Sequence, residues 1–191
     1  MERPNDISRF IPQPEQAALV LIDFQERLIA AMPAEVQQSV LRNAGILIKA
    51  CLDMGCPIIL LEQYPQGLRR TVPEIRSLIP DIETIEKVAF NCCEVPAFMR
   101  TLQSLDRRDL ILCGMESHIC ILQTSFGLLE RDYRPFIPAD AVCSRSKHNW
   151  RFSLDLMRQA GAVIGTTETL LFLMNNTAGS ERFVRLSRLV R

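Results

Sequence analysis

The sequence predicts an α/β fold in which a parallel sheet carries helices on both of its faces. Short apolar runs of about three to eight residues alternate along the chain with segments of helical periodicity. Parallel strands need long crossover connections, and helices usually supply them. Six such runs separated by helical segments therefore indicate a doubly covered parallel sheet.

Six segments are predicted to be strands because they are short and apolar and are bounded by turn residues or polar loops. They are residues 17–24, 57–61, 84–90, 110–114, 134–137 and 163–165. The first is a nearly continuous apolar run, AALVLIDF, which is typical of a strand buried on both faces. The third is the weakest, because Lys87 lies among its apolar residues.

Helical spacing of apolar residues predicts the helices between these strands. They are residues 33–54, 73–78, 96–105, 119–130, 151–160 and 167–174. Gly55 and Gly161 are suited to end two of them, because glycine readily adopts the left-handed conformation beyond a helix. The helix over residues 119–130 is apolar around most of its circumference, which predicts a central and buried position.

The length of 191 residues suits one domain with a flanking segment at each end. Residues 1–16 are polar, contain three prolines and are predicted to form an N-terminal arm. Residues 17–174 form the predicted domain. Residues 175–191 alternate apolar residues with four arginines, which predicts an amphipathic C-terminal tail that packs against a neighbouring subunit of a homo-oligomer.

Composition excludes several classes of function. The chain has 22 basic and 22 acidic residues, so its bulk charge indicates no attraction to nucleic acid or to a membrane surface. No apolar run approaches the ~18 residues of a membrane span, and the polar N-terminus favours a cytoplasmic protein. Seven cysteines without CxxC spacing indicate neither a disulfide framework nor a zinc finger.

The segment DLILCGMESHICILQT, residues 109–124, contains the candidate nucleophile. A buried strand breaks at Gly114, and a helix is predicted to follow with Ser117 as its N-cap. Cys120 then occupies the third helical position, where free N–H groups and the helix dipole favour a negative charge. The pattern predicts that Cys120 is a thiolate.

Asp23, Lys87 and Cys120 all lie at or just beyond the carboxyl end of a predicted strand, where α/β folds bind ligands. One edge of the sheet is therefore expected to gather all three side chains. Taken singly, each has an ordinary structural role, as a helix cap, a solvated edge residue and a core thiol. Other residues are predicted to line a substrate pocket by location only. They are Gln25, Gln63, Tyr64, Phe90, Glu116 and His118.

Three segments resemble the isochorismatase-like cysteine hydrolases. They are LIDFQ at 21–25, EKVAFNC at 86–92, and GMESHICILQTSFGLLERDYRPFIPADAVCSR at 114–145. The resemblance extends from Ala17 to the C-terminus and is strongest to a small, single-domain branch without a defined substrate. It implies a three-layer α/β/α fold with a six-stranded parallel sheet in a Rossmann-like order.

The resemblance also implies a set of catalytic residues. By position, the family's catalytic aspartate, lysine and nucleophilic cysteine correspond to Asp23, Lys87 and Cys120. The family has a non-proline cis peptide, here between Met115 and Glu116, that helps to form an oxyanion hole from the N–H groups of Glu116 or its neighbours and of Cys120.

Two departures from the family limit the chemistry. Nicotinamidases of this superfamily hold zinc with an aspartate and histidines after the second strand, but residues 62–68 contain neither. No catalytic metal or other cofactor is therefore predicted. Isochorismatases lack the nucleophilic cysteine, so the presence of Cys120 disfavours isochorismate cleavage.

The function predicted from these residues is the hydrolysis of a C–N bond in a small amide-like substrate through a thioester on Cys120. Two alternatives remain open. The chain could be a catalytically silent protein that keeps the fold to bind a partner, or a redox-sensing thiol protein that pairs Cys120 with Cys92 or Cys93.

Overall fold

A parallel sheet forms the middle layer of the structure, a computed structural model that describes residues 7–191. Within these residues its strands are Ala17–Ile22 (β1), Ile58–Gln63 (β2), Thr84–Lys87 (β3), Asp109–Met115 (β4), Arg134–Pro138 (β5), Val142–Cys143 (β6) and Val163–Gly165 (β7). The strand order is β3-β2-β1-β4-β5-β7, and the short β6 pairs with the carboxyl end of β4. The parallel sheet is confirmed, and β6 adds two residues of strand to the six predicted strands.

Helices cover both faces of this sheet. They are Glu26–Ala30 (α1), Ala34–Met54 (α2), Pro65–Leu68 (α3), Pro73–Arg76 (α4), Pro96–Leu105 (α5), Leu122–Leu129 (α6), Lys147–Ala160 (α7), Thr167–Met174 (α8) and Glu181–Leu189 (α9). Across residues 7–191, no helix combines the length and the apolar character that a bilayer crossing requires. The three-layer α/β/α architecture is confirmed.

The core has two parts because β1 is buried on both of its faces. Every residue of β1 is fully buried, and successive side chains point to opposite sides of the sheet. Leu19 and Leu21 pack with α2, whereas Val20 and Ile22 pack with α5, α6 and α7. The prediction that this continuous apolar run forms a strand buried on both faces is therefore confirmed.

The carboxyl ends of β1 and β4 meet where the strand order reverses. From β1 the chain proceeds outward through β2 and β3, and it then returns to place β4 on the other side of β1. Ile22 of β1 is the neighbour of Gly114 of β4. Gly114 has φ +126°, and a Cβ atom there would overlap the carbonyl oxygen of Ile22. Glycine thus allows the two central strands to approach at the point where α/β folds bind ligands.

Several predicted boundaries differ from the structure. β1 ends at Ile22 and β3 at Lys87, because the backbone turns at Asp23 and bends after Lys87. The helix predicted over residues 119–130 is instead a π-helical turn, Ser117–Ile121, followed by α6. Tertiary contacts determine where these strands and this helix end, and the local periodicity of the sequence carries no information about those contacts.

The terminal segments also depart from expectation. Residues 1–6 of the predicted arm lie outside the described residues, and Ser8–Phe10 and Pro14–Gln16 form short 3₁₀ turns. The C-terminal tail forms α9, whose Leu186 is fully buried against α2 and α8 of the same chain. Val184 of the same helix is 43% exposed, and the packing of the tail on a neighbouring subunit stays a prediction.

Candidate active site

Asp23 lies at the carboxyl edge in the middle of the sheet. Its backbone adopts the left-handed conformation, with φ 58°, directly after β1. Its N–H donates to the carbonyl of Leu61 at 3.1 Å, and its own carbonyl accepts from Gln25 at 2.7 Å. This turn leaves the carboxylate fully buried at the end of the strand.

Lys87 is the last residue of β3 and reaches across β2 to the same place. Its Nζ donates to Asp23 Oδ2 at 2.9 Å and to Gln63 Oε1 at 2.6 Å. It also lies 3.5 Å from the Sγ atom of Cys120. The structure therefore brings Asp23, Lys87 and Cys120 into one contiguous cluster, in which the side chains of Asp23 and Lys87 are fully buried.

Cys120 is held by the π-helical turn Ser117–Ile121. The carbonyl of Glu116 accepts from the N–H groups of Ile119 and Ile121, and the Cys120 residue is only 5% exposed. The peptide bond between Met115 and Glu116 is cis, at the position that the resemblance indicates.

The prediction that Ser117 caps this turn is wrong. Glu116 precedes the turn as its N-cap, and Ser117 is the first residue inside it. Its Oγ atom lies 2.5 Å from Ser144 Oγ and accepts from Ser153 at 3.0 Å. The hydroxyl is used in packing against α7 and the segment after β6, so it is not available to cap the backbone.

Burial dominates the protonation of Cys120. Loss of water raises the pKa of the thiol, and the carboxylate of Asp23 raises it further, while Lys87 acts in the opposite direction. Burial and the Asp23 carboxylate therefore act against the resting thiolate expected from the helix position, and Lys87 acts in its favour.

The carboxylate of Asp23 is suited to receive a proton. Burial raises its pKa above the ordinary 3.8, although the ammonium of Lys87 opposes this shift. Its Oδ1 atom is buried and makes no hydrogen bond of regular geometry with any residue in 7–191. The Cys120 thiol nevertheless lies close enough for the two groups to shift each other's pKa. For Lys87, burial lowers the pKa, but the carboxylate of Asp23 acts in the opposite direction and the net shift is upward, so the ammonium stays charged.

Gln63 and Gln25 support the cluster from behind. The amide of Gln63 donates to the carbonyl of Val88 at 2.7 Å, which turns its oxygen toward Lys87. Gln25 accepts from the backbone N–H of Gln63 at 2.8 Å and donates to its carbonyl at 2.9 Å. Gln25 is fully buried. Its predicted place in a pocket wall is therefore corrected to a structural clamp, and Gln63 contacts the ammonium.

Tyr64 and Phe90, which are predicted to line the pocket, follow β2 and β3 and have exposed side chains. Tyr64 donates its N–H to the carbonyl of Lys87 at 2.8 Å, and its ring lies over Gly67. Tyr64 and Phe90 are 54% and 50% exposed. Their contact with a substrate stays a prediction.

His118 belongs to a network of hydroxyl groups that sequence reasoning missed. Its Nδ1 atom lies 2.9 Å from Ser144 Oγ, and Asn149 lies 3.4 Å from Nε2. Ser144 in turn contacts Ser117, which Ser153 also contacts. The ring is half-buried in this network, and a place for His118 in the pocket wall stays a prediction. Contacts between residues this far apart in sequence leave no local pattern, so nothing in the sequence could have identified the serines.

Glu116 is occupied by an ion pair and does not offer a free carboxylate. Arg145 donates to Glu116 through its backbone N–H at 3.1 Å, through Nε at 2.9 Å and through a terminal nitrogen at 3.2 Å. Sequence reasoning did not identify Arg145. Its pairing with Glu116 fixes the start of the π-helical turn that carries Cys120.

The two cysteines considered as redox partners of Cys120, Cys92 and Cys93, are buried thiols. Within residues 7–191 all of the cysteines are free thiols. Burial raises the pKa of Cys92 to about 12 and that of Cys93 to about 11. In the same part of the chain, no three histidine, cysteine or acidic side chains come close enough to hold a metal ion. Metal independence stays a prediction.

Comparison with known proteins identifies the family. The model of the isochorismatase domain matches residues 17–169. The isochorismatase domain-containing protein 2 of Danio rerio is 36% identical over 176 residues, covering 91% of this chain and 86% of that protein. The secreted isochorismatase effector Isc1 of Phytophthora sojae is 30% identical over 183 residues, covering 93% and 86%. With a secreted relative, a cytoplasmic location stays a prediction.

Solved structures agree with this assignment. The MAR1 ribonuclease from Caenorhabditis elegans has a TM-score of 0.86 at 31% identity, covering 93% of this chain and 91% of that one. The YcaC gene product of Escherichia coli, described as an octameric hydrolase of unknown specificity, has a TM-score of 0.87 at 20% identity, covering 98% and 91%, and shows the fold alone. The chain belongs to the isochorismatase family.

Proposed function

We propose that this protein is a metal-independent hydrolase that cleaves a C–N bond in a small amide-like substrate. Cys120 is the nucleophile, and Asp23 is the general acid and base. Lys87 is the cation that stabilises the negative charge of the Asp23 carboxylate and of the Cys120 thiolate. One observation carries the proposal. The Lys87 ammonium lies 2.9 Å from Asp23 Oδ2 and 3.5 Å from Cys120 Sγ, in a buried cluster at the carboxyl edge of the sheet.

The first step joins the thiol to the substrate carbonyl. Because burial raises the pKa of the Cys120 thiol, Asp23 takes its proton as Sγ attacks the carbonyl carbon. The C–S bond forms, and the carbonyl electron pair moves to the oxygen. We assign the N–H groups of Glu116 and Cys120 as donors to that oxyanion, a contribution worth about 10²-fold or more in other enzymes.

The second step releases the amine, and water completes the reaction. The C–N bond breaks as Asp23 gives its proton to the leaving nitrogen, which leaves a thioester on Cys120. Asp23 then takes a proton from water, the oxygen attacks the thioester, and the thiol leaves with that proton. One amide and one water become one carboxylic acid and one amine, and the enzyme is restored.

Lys87 compensates a charge that would otherwise be costly. A buried carboxylate without a partner becomes protonated, and a protonated Asp23 cannot take the thiol proton. The ammonium favours the ionised carboxylate in the resting state and the thiolate during attack. Gln63 holds the ammonium between them.

The test is turnover of a panel of small amides by the purified protein, followed by release of ammonia or amine. Cys120→Ala should abolish turnover, while Cys93→Ala, which removes a thiol outside the cluster, should retain it. Activity should survive treatment with EDTA. Turnover by Cys120→Ala, or its loss on chelation, would contradict the mechanism.

The panel should also include RNA and isochorismate, because relatives are described as a ribonuclease and as an isochorismatase effector. A Cys120-dependent cleavage of either would replace the amide by that substrate. Each of the two alternatives to catalysis predicts a different experimental result. A peroxide-induced disulfide between Cys120 and Cys92 or Cys93 would favour a redox sensor. A Cys120 thiol that no reagent reaches would favour a partner-binding protein.

A further inference from the structure

Cys51 and Cys56 lie on the two sides of the turn that ends α2. The N–H of Cys56 donates to the carbonyl of Cys51 at 2.9 Å, and the N–H of Gly55 donates to that of Leu52 at 3.3 Å. Gly55 has φ 71°, the left-handed conformation that this pair of hydrogen bonds requires. Helix ends of this kind commonly bring the side chains on either side of the turn into contact. The fold therefore places two thiols together.

The separation of these two residues suits a disulfide. The hydrogen bond of 2.9 Å between their backbones holds their Cα atoms no more than about 6.8 Å apart, because the covalent bonds on each side have fixed lengths. Disulfides join Cα atoms that lie ~4.4 to 6.8 Å apart. The thiols of Cys51 and Cys56 also interact as hydrogen-bond partners, so their sulfur atoms are neighbours. The two sulfur atoms can therefore be joined without a large movement of the backbone.

Cys56 is the member of the pair that is suited to lose its proton. The hydrogen bond from Cys51 lowers the pKa of the Cys56 thiol, although burial opposes this shift. The guanidinium of Arg107 also lowers that pKa, and the carboxylate of Glu15 acts against it. The Nε atom of Arg107 is buried and makes no hydrogen bond with any residue in 7–191. For Cys51, the same hydrogen bond and burial raise the pKa, so this thiol keeps its proton.

The end of the N-terminal arm covers Cys56. The Sγ atom of Cys56 donates to the carbonyl of Pro14 at 3.4 Å. The two 3₁₀ turns of the arm, Ser8–Phe10 and Pro14–Gln16, contain no buried residue. Segments with few buried contacts open locally at a lower free energy than the whole domain. A small oxidant can therefore reach Cys56, which is 4% exposed, before it reaches the fully buried Cys51.

We propose that Cys51 and Cys56 are a redox modification site, at which hydrogen peroxide forms a disulfide that a dithiol reduces again. The Cys56 thiolate attacks one peroxide oxygen, the O–O bond breaks, and a sulfenic acid and one water result. The sulfur of Cys51 then attacks the sulfenic sulfur, and the S–S bond forms as the hydroxyl leaves with the Cys51 proton as a second water. Two thiols lose two electrons, and one peroxide becomes two waters.

This site is separate from the proposed function. Cys51 and Cys56 belong to the part of the core on one face of the sheet, and Cys120 belongs to the part on the other face. The disulfide uses neither the Cys120 thiol nor any group assigned to hydrolysis. An absence of amide turnover would therefore leave this inference in place, and an absence of the disulfide would leave the hydrolase in place.

Peptide mapping of the wild-type protein tests the proposal directly. Trypsin cleaves after Lys49 and after Arg69, so residues 50–69 form one peptide that contains both thiols. After treatment with hydrogen peroxide and alkylation of the remaining thiols, this peptide should carry no alkyl group and should have lost two hydrogen atoms. Dithiothreitol should restore both thiols. A peptide that stays fully alkylated after peroxide treatment would overturn the proposal.

The same map detects the competing disulfide. Cys113 also lies near Cys51, but it belongs to a different tryptic peptide, residues 109–131. A link between these two residues would appear as a cross-linked pair of peptides. That cross-link, or conversion of Cys56 to a sulfinic acid without a disulfide, would contradict the pairing.

Two cysteine variants separate the two steps of the reaction. In Cys51→Ala, Cys56 should still be oxidised but should stop at the sulfenic acid, which dimedone traps. Cys113→Ala removes the other neighbouring thiol and should form the disulfide at the wild-type rate. Circular dichroism checks that both variants fold, and the wild-type map does not depend on either. Loss of the disulfide in a folded Cys113→Ala protein would contradict the assignment.

The charge of Arg107 should set the rate of the first step. Arg107→Gln should slow the labelling of Cys56 by iodoacetamide and its oxidation by peroxide by about several-fold near neutral pH, because the pKa of the thiol rises. Arg108→Gln is the matched control, since this neighbouring arginine is exposed and is not among the groups that shift the pKa of Cys56. Equal rates in the two variants would overturn the role assigned to Arg107.

Discussion

Lys87 contacts both the carboxylate of Asp23 and the thiol of Cys120, so its charge influences how readily a proton passes between them. The three groups are buried, and burial raises the pKa of both acids. In such a place one unit charge can change an ionisation far more than it does in water. Substitutions that remove the charge of Lys87 or of Asp23 should therefore have different and measurable effects.

Lys87→Met should shift the pH dependence of the reaction. Asp23 must be ionised to act as a base, so activity falls as the pH drops through its pKa, which lies above 3.8. Without the ammonium that pKa rises further, so the acid limb of kcat/KM should move to higher pH, with a loss of about 10²-fold at neutral pH. Lys147→Met, an exposed lysine on α7, should match the wild type. An unchanged acid limb would contradict the assigned role.

Asp23→Asn should affect turnover and thiol reactivity in opposite directions. Asparagine cannot accept the proton, so hydrolysis should fall by about 10²-fold or more. The carboxylate raises the pKa of Cys120, so its removal should lower that pKa and speed alkylation by iodoacetamide near neutral pH. Both rates are measured on the same preparation. Slower alkylation together with slower turnover would indicate a damaged site instead.

Much of the site could be predicted at the scale of single residues, because the position of a residue at the end of a strand is visible in the local sequence. Asp23 and Lys87 end strands, and the carboxyl ends of parallel strands meet at one edge, so sequence position alone placed them together. The protonation of Cys120 was not predictable, because it depends on how deeply the assembled sheet and helices bury the thiol. Arg145 and Ser144 were missed because their partners, Glu116 and Ser117, lie in another crossover.

Among the elements, the contact between β1 and β4 is the tightest constraint on the site. Gly114 in β4 has φ +126°, and no Cβ atom fits between it and Ile22. The residues that follow these two strands include Asp23 and the turn that carries Cys120. A change in the spacing of the two strands would therefore move both.

Gly114→Ala should destabilise the fold, because it both strains the backbone and forces β1 from β4. The free energy of unfolding, measured in urea, should fall by about 3 kcal/mol or more. Gly165→Ala in β7 is the control. A Cβ atom there meets only side chains at ordinary contact distances of 3.5 Å or more, so stability should change little. Similar losses in the two variants would show that the close approach is not the cause.

The elements also show where sequence patterns stop. Apolar periodicity predicted the strands and the long helices, because an element with a buried face needs apolar residues at regular intervals along the sequence. It predicted neither the two-residue β6 nor the π-helical turn. Both are too short to show a period, and both exist because β4 and α7 pack beside them.

For the molecule as a whole, α9 completes the layer that contains α2. Leu186 is fully buried in a small cluster with Ile46 and Leu171, and Arg185 pairs with Asp53 at the surface. Leu186 thus attaches α9 to its own chain, and a homo-oligomer with contacts from this tail remains a prediction.

Leu186→Ala should lower the free energy of unfolding by about 2 to 3 kcal/mol, since it opens a cavity in a buried cluster. Arg185→Ala should have a much smaller effect, because exposed ion pairs contribute little. Unfolding in urea measures both. An equal loss in the two variants would mean that the ion pair, and not apolar packing, attaches α9.

The position of β3 has a consequence for how the protein would lose activity. β3 is an edge strand, paired only with β2 over four residues, and it carries Lys87. Edge segments with few buried contacts open locally at a lower free energy than the whole domain. Such an opening would withdraw the ammonium from Asp23 and Cys120 while the rest of the sheet stayed folded. In increasing urea, turnover should therefore disappear, and the amide hydrogens of β3 should exchange, before the circular dichroism of the domain changes.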